Sequence, residues 1–280
     1  MTTPEFGIFA RVFPKGSARA VAGSIAAAGY SLAQLNLSAL GFATIPSADE
    51  WRGIDPAAVR ADFAAAGISC WGVSCSYNMS HPDAALRRAG TTAAVDLIVR
   101  ASAFGATAVT LCTGSRDAEH MWAFHPDNGS EAAWRDMRAE LDLLLAAAHG
   151  AGVVLAVELE RGNIVCDASA AVRLYSELGS DSSLVGIIAD STNLLSGQSP
   201  ETHHDVLEHS FALLADRIIC LHAKDLTAWA DTLDGHGVVD YDQVAALYTS
   251  LDLHAPVIVQ DATPTQAAGA LTFLRAHFKV

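Results

Sequence analysis

Positive charge is scarce in this sequence: 17 Lys and Arg stand against 31 Asp and Glu, a formal net charge of −14 at pH 7. That balance repels a phosphate backbone, and no basic run is dense enough to reverse it locally, so nucleic acid is not an expected partner. The cysteines, at 70, 75, 112, 166 and 220, form no C-x-x-C pair, and five of them cannot pair completely within one chain. They read as reduced, mostly buried thiols, with Cys112 and Cys220 acting as small hydrophobes inside apolar strands. The opening Met1-Thr2-Thr3-Pro4-Glu5 shows no basic segment ahead of an apolar core. No stretch reaches the roughly 20 apolar residues that cross a bilayer. A cytoplasmic protein with no membrane partner is the expectation. Linkers and low-complexity tracts are also missing, so residues 1–280 are expected to form a single domain.

The chain does have apolar residues in quantity, 51% against 17% charged, with alanine runs such as Ala26-Ala27-Ala28 that let helices pack closely on a sheet. Strand-like runs alternate with helix-length stretches. Strands are expected over 6–13, 30–37, 68–76, 108–112, 153–158, 184–190, 218–222 and 257–260. Helix starts are marked by Ser17, Asp55-Pro56, Pro82-Asp83, Ser130 and Asp167, and Gly105 marks a stop. Later helices are expected over 200–214, 241–251 and 264–277. The loop 38–53 is long enough to cover a site. Eight strand-helix units at a spacing of about 35 residues predict an α/β fold, a closed (β/α)8 TIM barrel. The rival, a doubly wound open sheet, normally carries a Gly-rich phosphate turn after its first strand, and Arg11-Val12-Phe13-Pro14 is not one.

Four consecutive strands end in metal-ligand types: Glu158, Asp190, His222 and Gln260. A polar strand end taken singly is as readily a hydrogen-bonded structural residue. In a barrel, however, all strand C-termini share one face, so the four converge. Two carboxylates, an imidazole and an amide oxygen suit one divalent ion: Mn²⁺ first, with Mg²⁺, Co²⁺ or Zn²⁺ as alternatives. Period-two alternation puts Ala156 and Val154 inward with Glu158, Ile188 and Gly186 with Asp190, and Cys220 and Ile218 with His222. It also brings Glu160 and Lys224 to the inner rim.

These residues resemble the xylose-isomerase-like TIM-barrel superfamily, in particular its bacterial sugar phosphate isomerase/epimerase-like branch. The likeness spans nearly the whole chain and rests on Asn78-Met79-Ser80-His81-Pro82-Asp83, Cys112-Thr113-Gly114-Ser115-Arg116-Asp117, Met121-Trp122 with His125-Pro126, Val157-Glu158-Leu159-Glu160 with Asn163, and His222-Ala223-Lys224-Asp225. Gly235-His236-Gly237 ahead of Asp240-Tyr241 is similar to the family's turn before the last crossover. The resemblance implies a divalent metal on Glu158, Asp190 and His222 with a fourth ligand from the eighth strand. Relatives that are ketose epimerases have a second Glu there, and two carboxylates exchange the substrate proton from opposite sides. Here the position holds Gln260, and Asn193 stands where many relatives have the His of Asp-x-x-His.

The expected function is a metal-dependent isomerase or epimerase acting on a sugar or polyol derivative. A lyase of keto-inositol or oxidised-glycoside type, which needs only one base, is the alternative. Glu158, Glu160 and Lys224 are the catalytic candidates. For Glu160 the competing reading is a rim salt bridge with Arg161, and for Lys224 an ion pair with Asp225. His81, Arg116, Trp122, His125 and Asn193 are candidates for substrate binding. Four of them have a plainer role open to them: helix starts for the two histidines, a pair with Asp117 for Arg116, loop anchoring for Trp122. A small carbohydrate is the expected partner, and homo-oligomerisation is left open. The charge balance generates a direct test: duplex DNA carrying an abasic site should be neither retained in a filter-binding assay at physiological salt nor cut. Incision that disappears in Glu158→Gln would overturn this expectation.

Overall fold

Eight parallel strands close on themselves, each hydrogen-bonded to its neighbours in chain order. The computed structural model describes residues 3–226, 231–232 and 237–279. The barrel strands are β1 (Phe6–Phe9), β2 (Leu32–Leu35), β3 (Ser69–Ser74), β4 (Ala108–Cys112), β5 (Val154–Glu158), β6 (Val185–Asp190), β7 (Ile218–Ala223) and β8 (Val257–Val259). Around them run α1 (Ala18–Ala27), α2 (Pro56–Ala65), α3 (Ala84–Ala101), α4 (Glu131–Ala151), α5 (Ala168–Leu178), α6 (Ser191–Leu195), α7 (His203–Leu214), α8 (Tyr241–Ser250) and α9 (Ala267–His277). The barrel expectation therefore holds.

Local chemistry accounts for the helix boundaries. Ser17, Asp55, Asp83, Ser130 and Asp167 each accept a hydrogen bond from a first-turn backbone N–H, as their positions predict. Gly105 and Gly152 close their helices in the left-handed region, at φ 85° and 67°. On α4 the expected face of Ala133, Met137, Leu141, Leu144 and Leu145 is buried against the barrel.

The first strand is shorter than expected. It pairs with β2 through Gly7 to Phe9 and with β8 through Phe6 to Ile8, after which neither neighbour continues. Ala10–Val12 therefore turns into a 3-10 helix, while Ala10, Val12 and Phe13 stay buried and prolong the apolar pattern past the end of pairing. Two small elements were not foreseen. One is α6, which starts directly at the end of β6, and the other is a two-residue ribbon, Asp225–Leu226 with Asp231–Thr232. Gly235 and His236 of the expected turn lie outside the described residues.

Inside the barrel, Leu32, Ala108, Ala156, Ile188, Cys220 and Ile258 form one apolar cluster, separate from the larger core between strands and helices. The inward setting of Ala156, Ile188 and Cys220 is as alternation predicts. Ile218 departs from it. The β6 to β7 register shifts so that Ile187 pairs with Ile218 but Ile188 with Cys220, leaving Ile219 as an extra residue. This bulge sends Ile218 to the outer core and packs Ile219 against the inner cluster. A matching shift on β3, where Ala33 pairs with Cys70 and Gln34 with Gly72, does the same for Trp71.

The extra side chains need small neighbours. A Cβ on Gly186 would lie 2.4 Å from Ile219 Cδ1 and 2.8 Å from its Cγ2. Gly186→Ala should therefore cost about 1–3 kcal/mol in a denaturant titration, the range for overpacking. Adding Ile219→Ala should recover part of the loss, so that the two changes are less than additive.

Candidate metal centre

Glu158 ends β5, Asp190 ends β6 and His222 lies one residue from the end of β7, so three adjacent strands deliver them to one rim. One ligand atom from each lies within 4.8 Å of the other two. All three residues are buried, Asp190 completely. His222 Nδ1 is 3.0 Å from Glu158 Oε1, and Asn193 Nδ2 donates to the same oxygen at 3.2 Å. The backbone N–H of Asn193 donates to Asp190 Oδ1 at 3.0 Å, so Asp190 also caps α6. Lys224 Nζ lies 3.1 Å from Asp190 Oδ2.

Charge balance sets the protonation of this group. Burial works against an ionised Glu158, but the charge and hydrogen bond of His222, and then Lys224, outweigh it and hold the carboxyl down to about 2. Burial raises Asp190 and Lys224 opposes it. For Lys224 itself, burial is outweighed by Asp190, then Glu158 and Glu160, and the ammonium is pushed up. Glu160 lacks such compensation. Burial, and next the charge of Glu158, raise it to about 8. Its partners are Glu158, Lys224 and Asn193, and Arg161 turns away to the carbonyl of Ser196.

A cavity of about 400 Å³ opens over these residues. Glu158, Glu160, Asn193, Lys224, Gln260 and Trp122 line it together with Cys112. So do residues not foreseen from the sequence: Gln34, Ser74 and Thr110 on the strands, and Arg11, Asn36 and Asp261 at the rim. Gln34 carried the signal used for the other four, a polar residue two positions after an inward Leu32. From the long loop 38–53 only Thr44 reaches the wall.

Three candidates for substrate binding sit elsewhere. His81 Nδ1 accepts from Asp83 N at 3.0 Å, and its Nε2 lies 3.2 Å from the carbonyl of Ala118. Arg116 donates to Asp136 Oδ2 at 2.6 Å and to the Ser80 carbonyl, not to Asp117. His125 Nδ1 accepts from Asp127 N at 3.2 Å and caps a 3-10 turn. None of the three lines the cavity; each is taken up by loop architecture. Lys224 pairs with Asp190, and Asp225 instead accepts the N–H groups of Val238 and Val239.

The donor set fits a divalent ion. Among the described residues, two buried acceptor oxygens at the mouth, Asp190 Oδ2 and Gln260 Oε1, have no hydrogen-bond donor. The Lys224 ammonium touches the first only as an ion contact. Buried oxygens left without donors are uncommon and call for a cation or another polar group. Carboxylate, imidazole and amide oxygen together suit Mg²⁺, Mn²⁺, Co²⁺ or Zn²⁺.

A family model described as a xylose isomerase-like TIM barrel matches residues 25–277. Similar solved structures include a 3-keto-D-glucoside 4-epimerase from E. coli, 15% identical, covering 98% of this chain and 99% of its own, with a TM-score of 0.74. A D-psicose 3-epimerase from Clostridium cellulolyticum H10 is 14% identical over 98% and 99% of the two chains, TM-score 0.76. An L-ribulose 3-epimerase is 14% identical over 100% and 95%, TM-score 0.73. No curated protein matches the sequence.

The raised Glu160 carboxyl has a measurable consequence. In the folded protein it holds a proton up to about 8, against an ordinary value of 4.5. Between those values the native state binds the extra proton, so stability falls as pH rises through the window. In chelator-treated protein, Glu160→Gln should flatten this part of the stability curve. An unchanged slope would place the raised proton elsewhere.

Proposed function

Because the chain belongs to the xylose isomerase-like TIM barrel family, we propose that its mouth is the active site of a divalent-metal-dependent isomerase or epimerase acting on a keto-sugar or polyol derivative. The observation that carries this reading is the convergence of Glu158, Asp190 and His222, with a buried Gln260 oxygen that has no donor at the same mouth. A divalent ion held by these four residues would polarise a substrate carbonyl and acidify the adjacent C–H. The neutral hydrogen-bonding groups of the wall, Asn36, Ser74, Thr110 and Asn193, suit a polyhydroxylated molecule. The resemblance of the fold to structures of sugar epimerases supports the same class.

The proton-transfer role goes to Glu160. In the metal-free protein a carboxylate held to about 2, as Glu158 is, makes a weak base, whereas Glu160, raised to about 8, still holds a proton near neutral pH. Glu158 therefore serves as ligand. Lys224, its ammonium kept charged chiefly by Asp190 and then Glu158, is placed to stabilise an enolate oxygen. Glu158 ends β5 and Glu160 follows it by two residues, with oxygens within 4.8 Å, and the amide of Gln260 cannot accept a proton from another side. Proton transfer then occurs from one face. That favours a shift between neighbouring carbons, or, as a second reading, elimination of a β-substituent, over inversion.

Proton NMR in deuterium oxide, over a panel of ketoses and keto-polyols with Mg²⁺, tests this reading. The expected result is exchange of one substrate α-proton without inversion at that carbon. Glu160→Gln should slow exchange by about 10²–10⁴-fold while leaving Mn²⁺ uptake intact. Asp190→Ala and His222→Ala should lose the metal. Rapid inversion by the unmodified protein would break the one-face argument, and loss of water from the substrate would move the assignment to the lyase.

A further inference from the structure

We propose that Gln34 is a positioning residue that holds the His222 ring with its proton on Nε2, leaving Nδ1 free for a cation. This rests on the metal-centre reading above. Gln34 ends the inward row of β2 and reaches across the barrel to β7, two strands that are not neighbours. His222 has a polar contact at each nitrogen: Nε2 lies 2.8 Å from Gln34 Oε1, and Nδ1 lies 3.0 Å from Glu158 Oε1. A neutral imidazole has one N–H, so only one of these contacts can be a hydrogen bond in that form.

The surroundings of Gln34 decide which. Its Nε2 lies 3.2 Å from Ser74 Oγ and 3.3 Å from Thr110 Oγ1. The register shift on β3 sets Gly72 opposite Gln34. In this orientation two amide N–H groups meet two hydroxyl oxygens, and one carbonyl oxygen meets one ring N–H. Reversing the amide would place two N–H groups against a single ring lone pair, stranding one donor on a residue only 2% exposed. The carbonyl therefore faces the ring and draws the proton to Nε2.

With Nε2 keeping its proton on Gln34, a cation that replaces the Nδ1 proton shared with Glu158 meets a lone pair beside a carboxylate. Two acceptors 3.0 Å apart repel unless a positive centre joins them. Gln34 thus makes Nε2 the nitrogen that keeps its proton, so that the Nδ1 side, shared with Glu158, is the one open to a cation. An outer partner that fixes a ligand imidazole typically sets metal affinity over a 10- to 100-fold range.

The test is calorimetric titration of chelator-treated protein with Mn²⁺, with ¹⁵N NMR of the Zn²⁺-loaded ring as a readout that packing alone would not move. Gln34→Leu keeps the volume and removes the acceptor; it should weaken Mn²⁺ binding by about 10- to 100-fold and make the His222 Nε2–H exchange rapidly. Gln34→Glu restores an acceptor and should bring back both tight binding and slow exchange. Should Gln34→Leu fail to fold, the double variant Ser74→Ala/Thr110→Val, which lets the amide reverse, must weaken binding in the same direction. Unmodified protein that binds neither ion overturns the metal centre and this proposal with it. Binding that is indifferent to these variants, or zinc found on Nε2, overturns the role of Gln34 alone.

Discussion

Two ionised carboxylates buried at one end of a barrel are the constraint on which the mouth depends. Glu158 is 5% exposed and Asp190 fully buried. Burying a charge without partners is costly, so each must be answered nearby. Lys224 is drawn beneath the surface to meet Asp190, His222 stands against Glu158, and the backbone and side chain of Asn193 serve both acids. The short helix α6 follows from the same demand, since its first turn supplies the N–H that Asp190 caps.

The architecture was legible because buried parallel strands write themselves as short apolar runs and their helices announce their starts with capping residues. What the pattern could not reveal was pairing. Alternation treats a strand as continuous, whereas β3 and β7 each gain one residue through a bulge, so Ile219 and not Ile218 faces the interior. Phe13 looked like strand because it is buried, yet its burial comes from the outer core, beyond the last paired residue.

The ligand candidates were legible for a geometric reason: strand ends of a barrel meet whatever the loops do. Loops carry no such guarantee. His81 and His125 each precede a proline near a strand end, like residues that reach over a mouth, yet both accept a backbone N–H two positions ahead and remain in their own loops. Arg116 is taken by Asp136, on a helix that the local sequence does not bring near. Gln34 carried the strand-end signal too, but Leu35 and Leu37 follow it and extend the apolar run past the rim position.

The same charge limit explains why an amide at 260 and a protonated acid at 160 belong together. Among the described residues the mouth has Lys224, Arg11 and the His222 ring with which to balance carboxylates, and Arg11 is already bonded to Asp261 at 2.8 Å. Glu158 and Asp190 take up the rest. Lys224 and Asn193 favour an ionised Glu160 too weakly to offset its burial and the charge of Glu158, so it keeps its proton to about 8. A carboxylate in place of Gln260 would add negative charge to the same cavity and hold that proton more tightly still. In the metal-free protein the amide on β8 thus spares Glu160 a further neighbouring negative charge.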